Sequence, residues 1–584
     1  MARVLLVSFP GYPYTPSSLL PDNGLASLAG TLIASGHEPK VLDYATVSTI
    51  RRLYPEWLSR RVRPLAVRMF VERRKLSAPQ KAAFVLHGHL LDAIQSKRLR
   101  EIAEEVAAEA ASYRADFVGL KLWNGDGFLG SVMIAEAVRA RLPEARIIGG
   151  GPHVDYFNRH ILDYFPVFDV LVQGEGERVL PELIAAMEAN RDWRAIPGVI
   201  WREGSRISAN PPRPLDNLDD LPLPVYDREV YPAIRGDEKI RIGVVDESRG
   251  CPNRCAFCIH PIKSGGKWCL KTPGRVVEEM NRLASAIRTR YFVYSGSNTS
   301  ARIAVGIADE ILRTGMDVRY GCFGHVQGIA RADFDVLKQS GCEAIFYGLE
   351  SGSRRILEQA FNKPLDLDLA ERVIRHTMDA GIAAITSIIY PAPFEDPCSR
   401  AETFEYLIRL RPDSVPVTIP GLIPGTRWDT DALRYGFEKS RRRDFWRYAL
   451  SYKIKLLYPP SLWKPLPYHL NGKTSRQLMR ECAEFVDALE HEGILTHVPH
   501  EMVLMAAASG RRRDLKGFRD LSRALFLSGD ADGIADLVAK INRNVQPLTT
   551  GCCQQAPTGP SAGTRSEESG FLSGEGQGCR TTAR

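Results

Sequence analysis

Apolar residues at the start of the chain occupy consecutive positions. Residues 3–8 (Arg-Val-Leu-Leu-Val-Ser) have the pattern of a strand buried on both faces of a parallel sheet. A Gly/Pro/Tyr-rich loop follows, then an amphipathic helix near 24–35 that stops at Gly36, and a second strand over 38–44. This β-loop-α-β order implies a right-handed crossover and a doubly wound sheet. After a long, Arg-rich helical segment (roughly 48–112) the alternation resumes. A strand over 117–122 and a helix over 130–141 precede a strand over 145–148 that ends in Gly149-Gly150-Gly151. A strand over 167–172 runs into Gln173-Gly174-Glu175-Gly176-Glu177. Five strands with loops at their carboxyl ends make a nucleotide- or cofactor-binding sheet, expected over 1–196.

The stretch 197–235 holds seven prolines and little periodicity, so 197–239 reads as a surface linker. A second β/α series begins at Ile240, with strands at 240–246, 290–295, 317–323, 343–349, 382–390 and 414–419. It predicts a parallel, partly closed (β/α)6 barrel over 240–435. Residues 436–545 read as helical, and the aromatics Trp446, Tyr448, Tyr452, Tyr458 and Trp463 there read as core, with a pocket lining as the alternative. From 546 to 584 Gly, Ser, Thr and Gln replace core-forming residues, which predicts a disordered tail. The expected fold class is α/β: a Rossmann-like sheet, a partial barrel and a C-terminal helical region.

At 584 residues the chain exceeds one core, and 44% hydrophobic with 25% charged residues is ordinary globular composition. The net charge of +8 is modest and its excess is local. Residues 51–75 hold nine Arg or Lys against two Glu, and 441–443 and 511–513 are Arg runs. These read as solvated helix faces, with a site for an anionic partner as the alternative, and not as the concentrated basic face of a nucleic-acid binder. No stretch approaches the roughly 20 apolar residues that span a bilayer. The N-terminus runs straight into a strand with no cleavable signal pattern. Eleven cysteines at irregular spacings argue against a disulfide framework and for a reducing cytoplasm. Cys552, Cys553 and Cys579 fall in the predicted tail.

Cys251-Pro252-Asn253-Arg254-Cys255-Ala256-Phe257-Cys258 follows the first barrel strand, where loops face the functional end. Three thiolates so spaced can wrap one face of a 4Fe–4S cubane and leave one iron open to chelate a ligand. A structural zinc site completed by His260 or Cys269, or a metal-free thiol cluster, has the same local pattern. The C-x3-C-x2-C spacing with an aromatic before the last cysteine resembles the radical S-adenosylmethionine (SAM) superfamily. Further segments fall in that superfamily's order: Tyr294-Ser295-Gly296-Ser297, Gly348-Leu349-Glu350-Ser351-Gly352, a drifted Ile388–Glu395 stretch, and Pro424-Gly425-Thr426. The resemblance implies a cluster on Cys251, Cys255 and Cys258, with SAM against Phe257, Ser295, Gly296, Ser297, Glu350 and Ser351. The usual acidic residue is not evident beside Ser295.

A doubly wound domain ahead of such a barrel resembles the cobalamin (B12)-binding subfamily. Gly24-Leu25-Ala26-Ser27-Leu28-Ala29, Ser35-Gly36-His37-Glu38 leading to Asp43, and the two glycine-rich strand ends carry this likeness. It implies cobalamin contacts from Trp123, Asn124, Gly149, Gly150, Gly151, His153, Gly174 and Glu175, where glycines let backbone amides approach a nucleotide loop. Trp123 reads equally as a core aromatic, and His153 as a loop contact, not a metal ligand. None of the twelve histidines follows an aspartate by two positions, so the cobalt-ligating Asp-x-His-x-x-Gly pattern is absent. The family's chemistry is then methyl transfer to an unactivated carbon of a small metabolite or natural-product intermediate, through a 5′-deoxyadenosyl radical and methylcobalamin. Cobalamin-assisted cyclisation or rearrangement is the alternative within enzymes, and a non-enzymatic iron–sulfur or zinc redox protein the alternative outside them. An external electron donor of the flavodoxin or ferredoxin type is implied; a nucleic-acid partner and a transmembrane segment are not, while peripheral membrane contact stays open.

Overall fold

Strand β1 (Arg3–Ser8) sends Val4 and Leu6 into one layer of core and Leu5 and Val7 into the other, which explains its unbroken apolar run. It lies between β2 (Glu38–Asp43) and β3 (Phe117–Lys121), followed by β4 (Arg146–Gly150) and β5 (Val170–Val172), all parallel. The helices Asn23–Ala34 and Gly176–Glu188 cover one face, and Ala78–Tyr113 and Asp126–Arg141 the other. In the computed structural model, residues 1–123, 125–213, 215–440, 445–453 and 455–547 are described. Asn124, the 441–443 run and, from 548 on, the predicted tail with Cys552, Cys553 and Cys579 lie outside them.

The linker expectation is corrected at its start. β6 (Val199–Glu203) and β7 (Arg206–Ala209) form a hairpin that extends the first sheet antiparallel to β5, giving seven strands. Prolines on both sides mask these short strands in the sequence, although Gly204 at φ 58° makes the turn. The remainder is a strap docked on the sheet: Val225 N donates to the Ala26 carbonyl and Val41 N to the Val230 carbonyl. A Cβ on Gly30 would sit 2.2 Å from the Leu223 carbonyl oxygen, so glycine is required in mid-helix where the strap crosses.

The second sheet is parallel and open, in the order β15-β14-β13-β12-β11-β8. Its strands are β8 (Gly243–Val245), β11 (Tyr291–Tyr294), β12 (Arg319–Gly324), β13 (Cys342–Glu350), β14 (Ala383–Ile389) and β15 (Val417–Thr418). Between β8 and β11 a small excursion forms the antiparallel hairpin of β9 (Ser248–Gly250) and β10 (Trp268–Leu270). Phe292, Tyr294, Ile345 and Tyr347 pack outward beneath helices, while Tyr291, Val293, Ala344 and Ile385 face inward. The helix His500–Ala508 packs on that inner face and plugs the open barrel.

The C-terminal region is less purely helical than its pattern suggests, because β16 (Phe437–Lys439), β17 (Tyr468–Leu470) and β18 (Lys473–Thr474) form a small antiparallel sheet. Tyr458 and Trp463 are core, Trp446 and Tyr452 pack partly buried against it, and Tyr448 is exposed. The Arg-rich segment resolves into the helices Val47–Leu53, Glu56–Phe70 and Ala78–Tyr113. Part of its charge is not simply solvated: Arg51, Arg63 and Arg73 pair with Asp532, Asp530 and Asp520 of the C-terminal helices at 2.8, 3.1 and 2.5 Å.

Candidate functional site

The carboxyl ends of the two sheets open onto one cavity of about 690 Å³. Ser8, Asp43, Lys121, Gly150 and Val172 line it from the first sheet, and Val244, Asp246, Ser295 and Ser297 from β8, β11 and the loops that follow them. Parallel strands deliver their carboxyl-end loops to one edge, so both sheets present their most adaptable backbone here.

The cysteine loop borders this cavity, with Gly250 before it and Ile259 and His260 after it in the lining. Cys251, Cys255 and Cys258 are half-buried. Backbone bonds from two other segments hold the loop: Ala256 N donates to the Phe361 carbonyl at 2.8 Å, and Trp428 N to the Ala256 carbonyl at 3.1 Å. Burial pushes the Cys255 thiol up to about 11 and Cys258 up to about 12, so both are protonated until a metal takes them. Three soft donors on one clamped loop fit a three-cysteine cluster in their chemistry. Among the described residues no group of three or more His, Cys, Asp or Glu is gathered as a single-ion site. Cys269 instead lies on β10, with its thiol 2.7 Å from the Leu215 carbonyl oxygen.

The residues expected around SAM divide. Ser295 and Ser297 line the cavity, and Ser297 Oγ is 2.9 Å from His260 Nδ1. Gly296 turns its N–H to the fully buried Glu247 carboxylate at 3.0 Å, and a Cβ there would collide with that carboxylate. Glu247, whose carboxyl is pushed up by burial, is an acidic residue beside this turn that arrives from the end of β8 and not from the Ser295 segment itself. Phe257 packs between Phe361 and Trp428, at 5.6 Å from each ring, and does not line the cavity. Glu350 and Ser351 are buried outside the lining. Glu350, at φ 66°, accepts from Lys363 at 3.0 Å and from Ser387 at 3.2 Å, and Ser351 Oγ lies 3.0 Å from Thr403 Oγ1.

On the opposite wall, Trp123, Gly150, Gly151, Gly174 and Glu175 line the cavity. Lys121 lies over the Trp123 ring at 5.4 Å and pairs with Asp22 at 2.6 Å. A Cβ at Gly150 would meet no atom nearer than 3.8 Å, so that glycine leaves open space along this wall. Gly149 does not belong to this wall, since its α-carbon faces Leu171, Leu122 and Phe168. His153 does not either: it is buried among Phe128, Tyr156 and Phe157 and donates from Nε2 to the Leu450 carbonyl at 2.8 Å. The glycine-rich motifs gave no means of telling cavity-facing from core-facing positions. Asp22, Asp43, Lys121, Arg249, Lys263 and Lys453 line the cavity without having been expected, and only Asp43 carried a motif signal.

Comparison with known proteins matches residues 248–407 to the radical SAM superfamily and residues 81–184 to the B12 binding domain. An uncharacterised methyltransferase of Pyrococcus horikoshii is 30% identical over 287 residues, covering 48% of this chain and 62% of that one. The anaerobic magnesium-protoporphyrin IX monomethyl ester cyclase of Cereibacter sphaeroides is 24% identical, covering 54% of this chain and 51% of that one. The chain thus spans between half and two thirds of the length of these curated relatives. The radical SAM methyltransferase TsrM from Kitasatospora setae, solved with cobalamin and a [4Fe-4S] cluster, shares the fold with a TM-score of 0.60 at 17% identity, over 91% of this chain and 99% of that one. Residues 248–407 of this chain thus match a radical SAM domain, placed behind residues 81–184 that match a B12 binding domain.

Proposed function

We propose that this protein is a cobalamin-dependent radical SAM methyltransferase acting on an unactivated carbon of a small molecule. The cavity shared by the two sheet ends carries this reading, because a group held on Gly150, Gly151, Gly174 and Glu175 and one held at Ser295 and Ser297, beside Gly250, Ile259 and His260 that flank the cysteine loop, open onto one volume. When bound, the cluster with SAM supplies hydrogen abstraction and cobalamin supplies the methyl group, so the protein provides geometry and exclusion of water. Cys251, Cys255 and Cys258 would hold the cluster. Ser295 and Ser297 would orient SAM, and Glu247 would hold the turn that presents them. Glu350 and Ser351 would act by shaping the end of β13. Trp123 would close the lower side of the cobalamin site without a histidine. Among the described residues no helix is long and apolar enough to cross a membrane, and a reducing cytoplasm with a flavodoxin- or ferredoxin-type donor suits the chemistry. The cyclase relative supports a second reading, ring formation at the same site.

The test is anaerobic reconstitution with iron and sulfide, then loading with hydroxocobalamin. The expected product binds about four irons, converts SAM to 5′-deoxyadenosine, and shows a base-off cob(II)alamin spectrum without axial nitrogen splitting. Cys251→Ala, Cys255→Ala or Cys258→Ala should lose iron and SAM cleavage, while Cys269→Ala keeps both. Failure to take up cobalamin overturns the methyltransferase reading, and loss of the cluster in Cys269→Ala points to a four-ligand site instead.

A further inference from the structure

The excursion that carries the cysteines, 248–270, is tied to the B12 binding domain on both flanks. Arg249 stands two residues before Cys251. Its guanidinium uses three nitrogens for three carboxylates: Nη1 to Glu175 at 2.5 Å, Nη2 to Glu177 at 2.7 Å and Nε to Asp246 at 2.6 Å. Glu175 ends the loop after β5, and Glu177 lies in the first turn of the helix Gly176–Glu188. On the other flank Lys263, in the turn of helix after Cys258, pairs with Asp155 at 2.9 Å. Asp155 also accepts from Gly174 N at 2.8 Å, which joins it to that loop. Asp246 is shared further with Lys271 at 2.7 Å, and Lys271 with Glu279 at 2.6 Å, so the anchor continues into the core of the second sheet. Glu177, Asp246, Asp155, Lys271 and Glu279 are all buried.

Ion pairs of this burial contribute little net stability, because desolvation offsets their attraction, but they discriminate sharply between arrangements. A planar guanidinium engaged on three sides fixes orientation as well as distance. An apolar contact would tolerate sliding between the two sheets. Resting on the functional reading above, we propose that Arg249 and Lys263 are positioning residues that register the cluster-bearing loop against the cobalamin wall. They set the distance between cluster and cobalt through the loop they hold, from positions in the cavity lining.

The experiment is a pulsed paramagnetic-resonance distance measurement between the reduced cluster and cob(II)alamin in the full, loaded chain. The wild type should show one narrow distance. Arg249→Met and Lys263→Met should retain iron and cobalamin yet shift to a longer, broader distribution. Arg249→Lys keeps the charge but not the three-way fork, so it too should load iron and cobalamin without restoring the narrow distance. Unchanged distances in Arg249→Met and Lys263→Met overturn the proposal. If Arg249→Met does not fold, Glu177→Gln removes one arm and carries the same expectation. If the wild type takes up no cobalamin, the functional reading fails separately. Hydrogen exchange then tests the clamp in the unloaded chain: exchange over 248–270 should rise in Arg249→Met, and equal protection overturns it.

Discussion

His153 shows how one side chain trades a functional expectation for a structural role. Burial lowers its imidazole to about 4 from the ordinary 6.5, and its Nε2 proton is committed to the Leu450 carbonyl. The unfolded chain therefore binds a proton that the folded chain refuses, and stability should fall as pH drops from about 6.5 toward 4. His153→Phe should lose about 1–3 kcal/mol near neutrality, through the unpaired carbonyl, but decline less over that pH window. Thermal midpoints measured from pH 7 to pH 4 decide this, and parallel declines in the two proteins would contradict it. Glu350 and Ser351 follow the same logic, since their polar atoms are engaged by Lys363, Ser387 and Thr403 and do not reach the cavity.

Among the elements, the short hairpin of β9 and β10 is the most consequential, because its loop carries the cysteines. Gly250 closes it at φ 80°, and an added Cβ would stand 2.2 Å from the Lys267 carbonyl oxygen and 2.7 Å from Ser264 Cβ. Gly250→Ala combines that clash with left-handed backbone strain of about 1–3 kcal/mol. The hairpin should open while both sheets persist. Iron content should drop sharply with helix content and cobalamin uptake retained, and a variant that loads a full cluster would contradict this account. The β6–β7 hairpin is the converse case, an element hidden by neighbouring prolines whose placement follows from the free edge of β5.

For the whole molecule, the C-terminal helices belong to the same folded body as the sheets. In the helix Ala531–Asn544, Ile534, Leu537, Val538 and Ile541 are buried. Asn542 caps the strap by accepting from Arg241 N at 2.7 Å and donating to the Lys239 carbonyl at 2.9 Å, and the Val545 carbonyl accepts from Arg290 N at 2.8 Å. Each such apolar side chain contributes about 1.5–3 kcal/mol, so together they rival the roughly 5–15 kcal/mol that keeps a domain folded. A chain ending at Pro547 should melt at the wild-type midpoint, whereas one ending at Ser528 should not fold. Calorimetry on the two truncations distinguishes them, and a stable chain ending at Ser528 would show the helix to be peripheral.

What the sequence determined by itself is what depends on neighbours along the chain. The unbroken apolar runs of β1 and β13, the crossover order and the Cys251–Cys258 spacing all lie within a few residues, so periodicity and ligand geometry expose them. The tertiary structure alone decided which face each glycine presents, separating Gly150 from Gly149, and that Glu247 is the acid behind Gly296. It also decided that Arg249 meets Glu175 and Glu177, 74 and 72 residues away. Charged side chains choose such partners by the docking of two sheets, and no local pattern encodes a contact that arises only when separately folded surfaces meet.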